Sequence, residues 1–156
     1  MPSGMEKDNL SITIIHGTPS PDQVDVLTEI YVNLFADAKV QFFKSRLATK
    51  EDIIALIAYY DSIPVGFKVG FKYNNDTYYS WVGGVTQRYR NQGIAQRLAN
   101  VQEKEVRLKG YSRLRTKSMN RFKPMMILNL KNGFDITKVY VNDSGQTKII
   151  FEKDLT

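Results

Sequence analysis

The stretch Tyr78–Leu98, YYSWVGGVTQRYRNQGIAQRL, limits the possible folds more than any other part of this chain. Tyr78 to Val85 has the aromatic and β-branched content of a strand. Arg90-Asn91-Gln92-Gly93-Ile94-Ala95 then turns the chain straight into helical periodicity. A strand, a tight turn, a helix and a further strand imply a right-handed crossover and a locally parallel strand pair. The turn also leaves the first N–H groups of the helix without partners, at the positive end of its dipole, which is a ready site for an anion. Gly93 lets backbone approach such a group closely, and Ala95 keeps the helix start uncluttered. No Gly-Lys-Ser/Thr follows, so this is not a Walker A loop, and the G-x-G-x-x-G dinucleotide pattern is missing too. The pattern is Arg/Gln-x-x-Gly-x-Gly/Ala. Six residues of this kind also occur as ordinary strand-to-helix turns, so the weight falls on the rest of the chain.

At 156 residues, with 42% hydrophobic content, the chain is expected to be one domain over 1–156 with a real core. The polar start MPSGMEKDN reads as a flexible end over residues 1–9. The absence of cysteine excludes disulfides, thiolate metal sites and a cysteine nucleophile. A single histidine, His16, leaves no His-rich metal site, and no metal is expected. No apolar run approaches a membrane span, so a cytoplasmic protein without a membrane partner is expected. The net charge of +6 is unevenly placed. Gln87 to Lys123 holds eleven Lys/Arg against two acids, a local net of +9 that leaves the remainder at −3. Such a run fits a phosphorylated cofactor or a nucleic acid, and part of it fits a solvated helix face.

Along the chain, Ser11–Ile15 reads as a strand. Ser20 or Asp22 can cap a helix that has Pro21 in its first turn and runs to about Phe35, followed by a helical piece over Val40–Leu47. Ile53–Tyr60 is an apolar strand, although its continuous run would also suit a buried helix. Val65–Tyr73 alternates, with Val65, Phe67, Val69, Phe71 and Tyr73 on one face and Gly66, Lys68, Gly70 and Lys72 on the other. After the glycine turn, Ile94, Leu98, Val101 and Leu108 mark a helix face that ends at Gly110. A strand over Tyr111–Lys117, a short helix over Met125–Asn132 and strands over Phe134–Val141 and Lys148–Glu152 complete the order β-α-α-β-β-β-α-β-α-β-β. That order predicts an α/β (α+β) fold: a mixed, mainly antiparallel sheet with helices on both faces.

With these elements in place, the chain resembles the GNAT superfamily of N-acetyltransferases. Three features carry the resemblance: VGGVTQRYRNQGIAQRL with Arg90-x-x-Gly93-x-Ala95 in register, Asn120 after the following strand, and LNLKNGFDI with its Gly133-Phe134 pair. The resemblance implies acetyl-CoA as co-substrate. Backbone around Gly84, Val85 and Thr86 would run beside the pantetheine arm. The amides of Gln92, Gly93, Ile94 and Ala95, with Asn91 in the same loop, would hold the pyrophosphate. Arg88 and Arg90 would add charge, and Asn120 and Lys123 would lie near the thiol-proximal or nucleotide portion.

One departure concerns catalysis. Where many relatives have a tyrosine as general acid, five residues before the Gly-Phe phenylalanine, this chain has Asn129. Asparagine can hydrogen-bond but not supply a proton near neutral pH. The implied mechanism is direct attack of a small-molecule or peptide amine on the thioester, with a backbone N–H near Gly83 to Val85, around Gly84 and Val85, polarising the carbonyl. The base is open among Tyr79, Ser80, Trp81, Glu29, Asp37 and Glu51, each of which also has a purely structural reading. A homodimer through the sheet edge or C-terminal strands is a family expectation. Two other readings compete. Asn129 allows a non-catalytic acyl-CoA-binding or regulatory module. The basic run allows a nucleic-acid binder, which ranks lowest because only Tyr89, Tyr111 and Phe122 interleave it and no recognition motif is present.

Overall fold

The computed structural model describes residues 9–156. The expected flexible end over 1–9 therefore falls, apart from Asn9, outside the described residues. Within them the chain forms β1 (Leu10–His16), α1 (Pro21–Leu34), α2 (Val40–Thr49), β2 (Ile54–Tyr60), β3 (Ile63–Lys72), β4 (Thr77–Val85), α3 (Ile94–Leu108), β5 (Arg113–Met119), α4 (Lys123–Lys131), β6 (Asp135–Val141) and β7 (Thr147–Asp154). This is the element order read from the sequence, with boundaries shifted by at most two residues. No helix among the described residues is long and apolar enough to cross a membrane.

Local chemistry accounts for the ends. Ser20 and Gln23 form a reciprocal capping box at α1: Ser20 Oγ accepts from the Gln23 N–H, and Gln23 Oε1 accepts from the Ser20 N–H at 2.8 Å, with Pro21 in the first turn. Pro124 opens α4 in the same way, so that helix starts at Lys123 rather than Met125. The ambiguous run IIALIAYY is a strand. Every residue of β2 except Tyr59 is buried, because helices cover both of its faces, so no polar alternation is needed.

One sheet holds all seven strands, in the order β1-β2-β3-β4-β5-β7-β6. All neighbours are antiparallel except β4 and β5. On one face α1 and α2 bury Leu27, Ile30, Phe43 and Leu47 against Ala55, Ile57, Phe67, Val69 and Phe71. On the other, α3 buries Ile94, Leu98 and Val106 against Ile54, Leu56, Tyr78, Leu114 and Phe151. The alternation read for β3 holds at Phe67, Val69 and Phe71. Val65 instead joins the α3 side after a register shift in β2–β3, and Tyr73 lies beyond the strand, 52% exposed. Leu108 does not belong to the apolar face of α3 and is 73% exposed. The buried positions step by four, Ile94, Leu98, Gln102 and Val106, and Leu108 sits roughly 200° around the helix from Val106.

Asp52 ties the far ends of these elements together. It holds φ at 55°, and its carboxylate accepts from Lys109 Nζ at 2.6 Å and Tyr111 Oη at 2.5 Å. Burial pushes its carboxyl up, but those hydrogen bonds and the charges of Lys109 and His16 outweigh this and hold it below its ordinary value. Its backbone carbonyl accepts from the hydroxyl of Tyr78, which itself accepts the Ile54 N–H at 2.8 Å.

Candidate active site

The site is built on the one parallel pair. Thr77–Ser80 of β4 pair with Arg113–Thr116 of β5, and there the ladder stops. β4 runs on to Val85 and β5 to Met119, so past Ser80 and Thr116 the strands part and leave a gap in the middle of the sheet. Crevices of this kind, at the carboxyl ends of parallel strands, are where open α/β sheets take ligands. β4 is irregular at the same level: its register on β3 slips between Ser80 and Val82, leaving Trp81 as the extra residue. Gly83 follows because nothing larger fits against the β3 backbone, and Gly84 lies close under the tip of Leu34. A Cβ at Gly83 would lie 2.8 Å from the Phe67 carbonyl oxygen, and one at Gly84 would lie 2.9 Å from Leu34 Cδ1.

The loop after β4 is held from both sides. The Thr86 N–H bonds to the Val65 carbonyl, Tyr89 packs in the core against Tyr60, and Arg90 Nε donates to the Val85 carbonyl at 2.9 Å. Asn91 and Gly93 take left-handed backbone, at φ 61° and 83°. Gly93 is the N-cap of α3 and supplies no side-chain cap, so the first-turn N–H groups of a 15-residue helix face outward beside the gap. Across it, at the end of β5, Lys123 Nζ donates to the Asn120 backbone carbonyl and, at 2.8 Å, to its Oδ1. Both residues line a hollow of about 400 Å³ with Met119, Arg121, Gln146 and Thr147.

The closed end of the gap opens, on the α3 and α4 side, into a cavity of about 70 Å³. Lys68, Ser80, Gln102, Thr116 and Asn129 are among its walls. Gln102 is 1% exposed and Asn129 7%, yet the amide nitrogens Gln102 Nε2 and Asn129 Nδ2 have no partner among the described residues. Burial draws the Lys68 ammonium down to about 8. On the opposite face Trp81 packs on Phe43 and Phe71, and the Arg46 guanidinium lies over the rings of Phe42, Phe71 and Trp81. Burial pushes the Tyr79 phenol up, against the charges of Lys117, Arg46 and Arg115.

A sequence model of the acetyltransferase (GNAT) family matches residues 21–125, from the start of α1 into α4. The chain is a GNAT-family acetyltransferase. No curated protein matches it. Among solved structures it is similar to a putative GNAT acetyltransferase from Desulfovibrio desulfuricans, at 15% identity and TM-score 0.78 over 94% of this chain and 100% of that one. A GNAT acetyltransferase from Elizabethkingia anophelis, with acetyl-CoA bound, gives 21% identity and TM-score 0.72 over 96% and 100%. The ribosomal-protein-S18-alanine N-acetyltransferase from Escherichia coli gives 16% identity and TM-score 0.77 over 94% and 95%.

In this acetyltransferase Val85, Thr86, Arg88, Arg90, Asn91, Gln92, Gly93, Ile94 and Ala95 gather at the carboxyl end of β4. Asn120 and Lys123 gather at the carboxyl end of β5, on the other side of the gap. Asn129 lies apart from both, in the closed cavity with Ser80. Of the carboxylates weighed as a base, Glu29, Asp37 and Glu51 are all exposed, and Glu51 pairs with Lys72 near the paired end of β4. His16 is exposed and meets Glu105 at 3.0 Å. The sequence reading missed Lys68 and Gln102. Lys68 stood in the glycine-flanked face Gly66-Lys68-Gly70, and the missing fact was that α3 covers that face: a Cβ at Gly70 would lie 3.1 Å from Gln102 Nε2.

Proposed function

We propose that this chain transfers the acetyl group of acetyl-CoA to a primary amine by direct attack on the thioester. The observation that carries this reading is the gap between β4 and β5, ending at the uncapped N-terminus of α3 with Gly93 in left-handed backbone. The amides of Gln92, Gly93, Ile94 and Ala95 would receive the pyrophosphate, helped by the helix dipole and the basic surroundings of Arg88 and Arg90. Arg90 would act chiefly by fixing the loop, since its Nε holds Val85. The pantetheine arm would run along Gly84, Val85 and Thr86 into the gap, with Asn120 and Lys123 on the far wall. A β4 N–H near Gly83 to Val85, left without a β5 partner, would polarise the acetyl carbonyl. The acetyl-CoA bound to the similarly folded Elizabethkingia protein supports the choice of donor.

The acceptor would approach from the α1 and α2 face, past Tyr79 and Trp81. Arg46, Arg115 and Lys117 stand around Tyr79, which favours an amine that also carries a carboxylate or phosphate. The edge strand β6 exposes Ile136, Val139 and Val141 and is the surface we assign to a homodimer.

The test is calorimetric titration of acetyl-CoA into the wild type and a Gln96→Glu variant. A carboxylate in the first turn favours α3 by about 0.3–1 kcal/mol. At about 7 Å from a phosphate charge it costs roughly 0.6–2.4 kcal/mol for effective dielectrics of 80 to 20, so binding should weaken roughly 3–60-fold while the fold does not suffer. Equal binding to both proteins would place the cofactor elsewhere, and no binding to either would remove the cofactor reading.

A further inference from the structure

Three unpaired side-chain donors border the cavity at the closed end of the gap. Lys68 Nζ, Gln102 Nε2 and Asn129 Nδ2 are all donors, and none has an acceptor among the described residues. Leaving two buried amides without partners costs free energy at each, and the half-buried Lys68 ammonium borders the same small space, so their convergence points to an acceptor that arrives from outside. The glycines of β3 and β4 make the arrangement possible. Lys68 leans across Gly83, where a Cβ would come within 3.2 Å of both its Cα and its Cγ, and the open backbone at Gly70 leaves room for Gln102. Ser80 and Thr116, the last paired residues of β4 and β5, line the same cavity. It therefore opens where the parting strands meet, at the deep end of the track proposed for the pantetheine arm.

We propose that this cavity receives the sulfur of the acyl donor, and that Lys68, with the amides of Gln102 and Asn129, stabilises the departing thiolate and returns a proton to it. The assignment rests on the acetyl-CoA reading above. In the step, the amine nitrogen bonds to the thioester carbonyl carbon. The C–S bond breaks with its electron pair staying on sulfur, and a proton passes from Lys68 Nζ to that sulfur. The proton shed by the amine goes to solvent, from which Lys68 is recharged. CoA then leaves as the neutral thiol. A lysine drawn down to about 8 lies close to the ordinary thiol value of about 8.5, so the ammonium first holds the bound thiolate and gives up its proton as the sulfur moves out of its field and regains that value. The other charged groups lining the cavity, Glu103 and Lys153, are paired with each other at 2.6 Å. Burial alone accounts for the lowering at Lys68.

The experiment needs no acceptor. The thiol of bound CoA is titrated by its thiolate ultraviolet absorbance in the wild type, Lys68→Met, Lys68→Arg and Gln102→Leu, beside calorimetric binding of CoA and thermal melts. In the wild type the bound thiol should titrate about 1–3 units below free CoA, as expected for a group facing an opposite charge. Lys68→Met should return it to the free value or higher, Lys68→Arg should keep it low, and Gln102→Leu should raise it by a smaller amount. Lys68→Met removes a half-buried ammonium that has no acceptor among the described residues and should melt no lower than the wild type. CoA that binds with the same thiol titration in the wild type, Lys68→Met and Gln102→Leu would overturn this role while leaving the acetyl-CoA site standing. Failure of CoA to bind any of the folded proteins would overturn both.

Discussion

Replacing Tyr78 with phenylalanine removes one hydroxyl from the interior of β4. The ring is fully buried, and the hydroxyl is both acceptor and donor: it takes the Ile54 N–H at 2.8 Å and gives its proton to the Asp52 carbonyl at 3.0 Å. Burial pushes the phenol well above its ordinary range, so it stays protonated in any working buffer. Both backbone partners lie more than twenty residues away in sequence, so the hydroxyl fastens the start of β2 to the paired end of β4. In Tyr78→Phe the ring still packs, and the loss is that of two backbone groups left without their partner. The cost of a buried, unsatisfied polar group is about 1–3 kcal/mol, and a chain of this length loses roughly 2–4 °C of melting temperature per kcal/mol. A value near 2 kcal/mol therefore corresponds to a fall of about 4–8 °C. The assay is thermal unfolding followed by circular dichroism, with acetyl-CoA affinity measured alongside. Affinity should hold within about twofold, because Tyr78 belongs to the paired half of the strand and not to the gap. A melting temperature within about 1 °C of the wild type would refute the staple.

Two further substitutions probe the frame around the site. Asp52→Asn keeps a residue that tolerates the positive φ and removes the charge that holds Lys109, so at neutral pH it should cost about 1 kcal/mol, limited by solvent screening at this open position. The wild-type carboxyl titrates lower folded than unfolded, so its contribution is complete above the ordinary value of 3.8 and is lost as pH falls through the lower folded value. Denaturant unfolding across that range should show a flatter acid limb in the variant, and parallel limbs would contradict the assignment. Gly70→Ala brings a Cβ to 2.5 Å from Tyr78 Cε2 and 2.7 Å from the Tyr79 carbonyl oxygen, an overpacking that should destabilise by about 1–3 kcal/mol in the same measurement. An unchanged midpoint would mean that the Tyr78 ring and the β4 backbone stand further from Gly70 than described.

The frame was readable in the sequence because it is written in local chemistry. Ser20 to Gln23, the alternation of β3, and Gly93 before an amphipathic run each announce their structure within a few residues. The loop that faces the gap was equally legible, since all its members fall within one short run from Val85 to Ala95. The chemistry at the closed end was not. Lys68, Gln102 and Asn129 come from β3, α3 and α4, and no spacing rule joins them. Gln102 was hidden by hydropathy, because a glutamine at a helix position stepping by four from Leu98 reads as a break in the apolar face when it is in fact buried there. Leu108 shows the reverse error: a leucine near the expected phase that the last turn of α3 carries into solvent.

The parallel seam of four residue pairs between β4 and β5 is the narrowest joint in the sheet. On one side β2, β3 and β4 are joined by turns of a few residues, and on the other β6 and β7 form a hairpin. Those turns are local, whereas the seam, like β1 on β2 and β5 on β7, joins strands with helices between them in the chain. The sheet is thus two blocks joined at this seam, and the crevice lies between them. A molecule that fills the crevice touches both blocks and binds only when they are together, so by mass action it holds the fold closed in proportion to its own affinity. Occupancy of the seam and integrity of the sheet are, in this protein, two readings of one equilibrium.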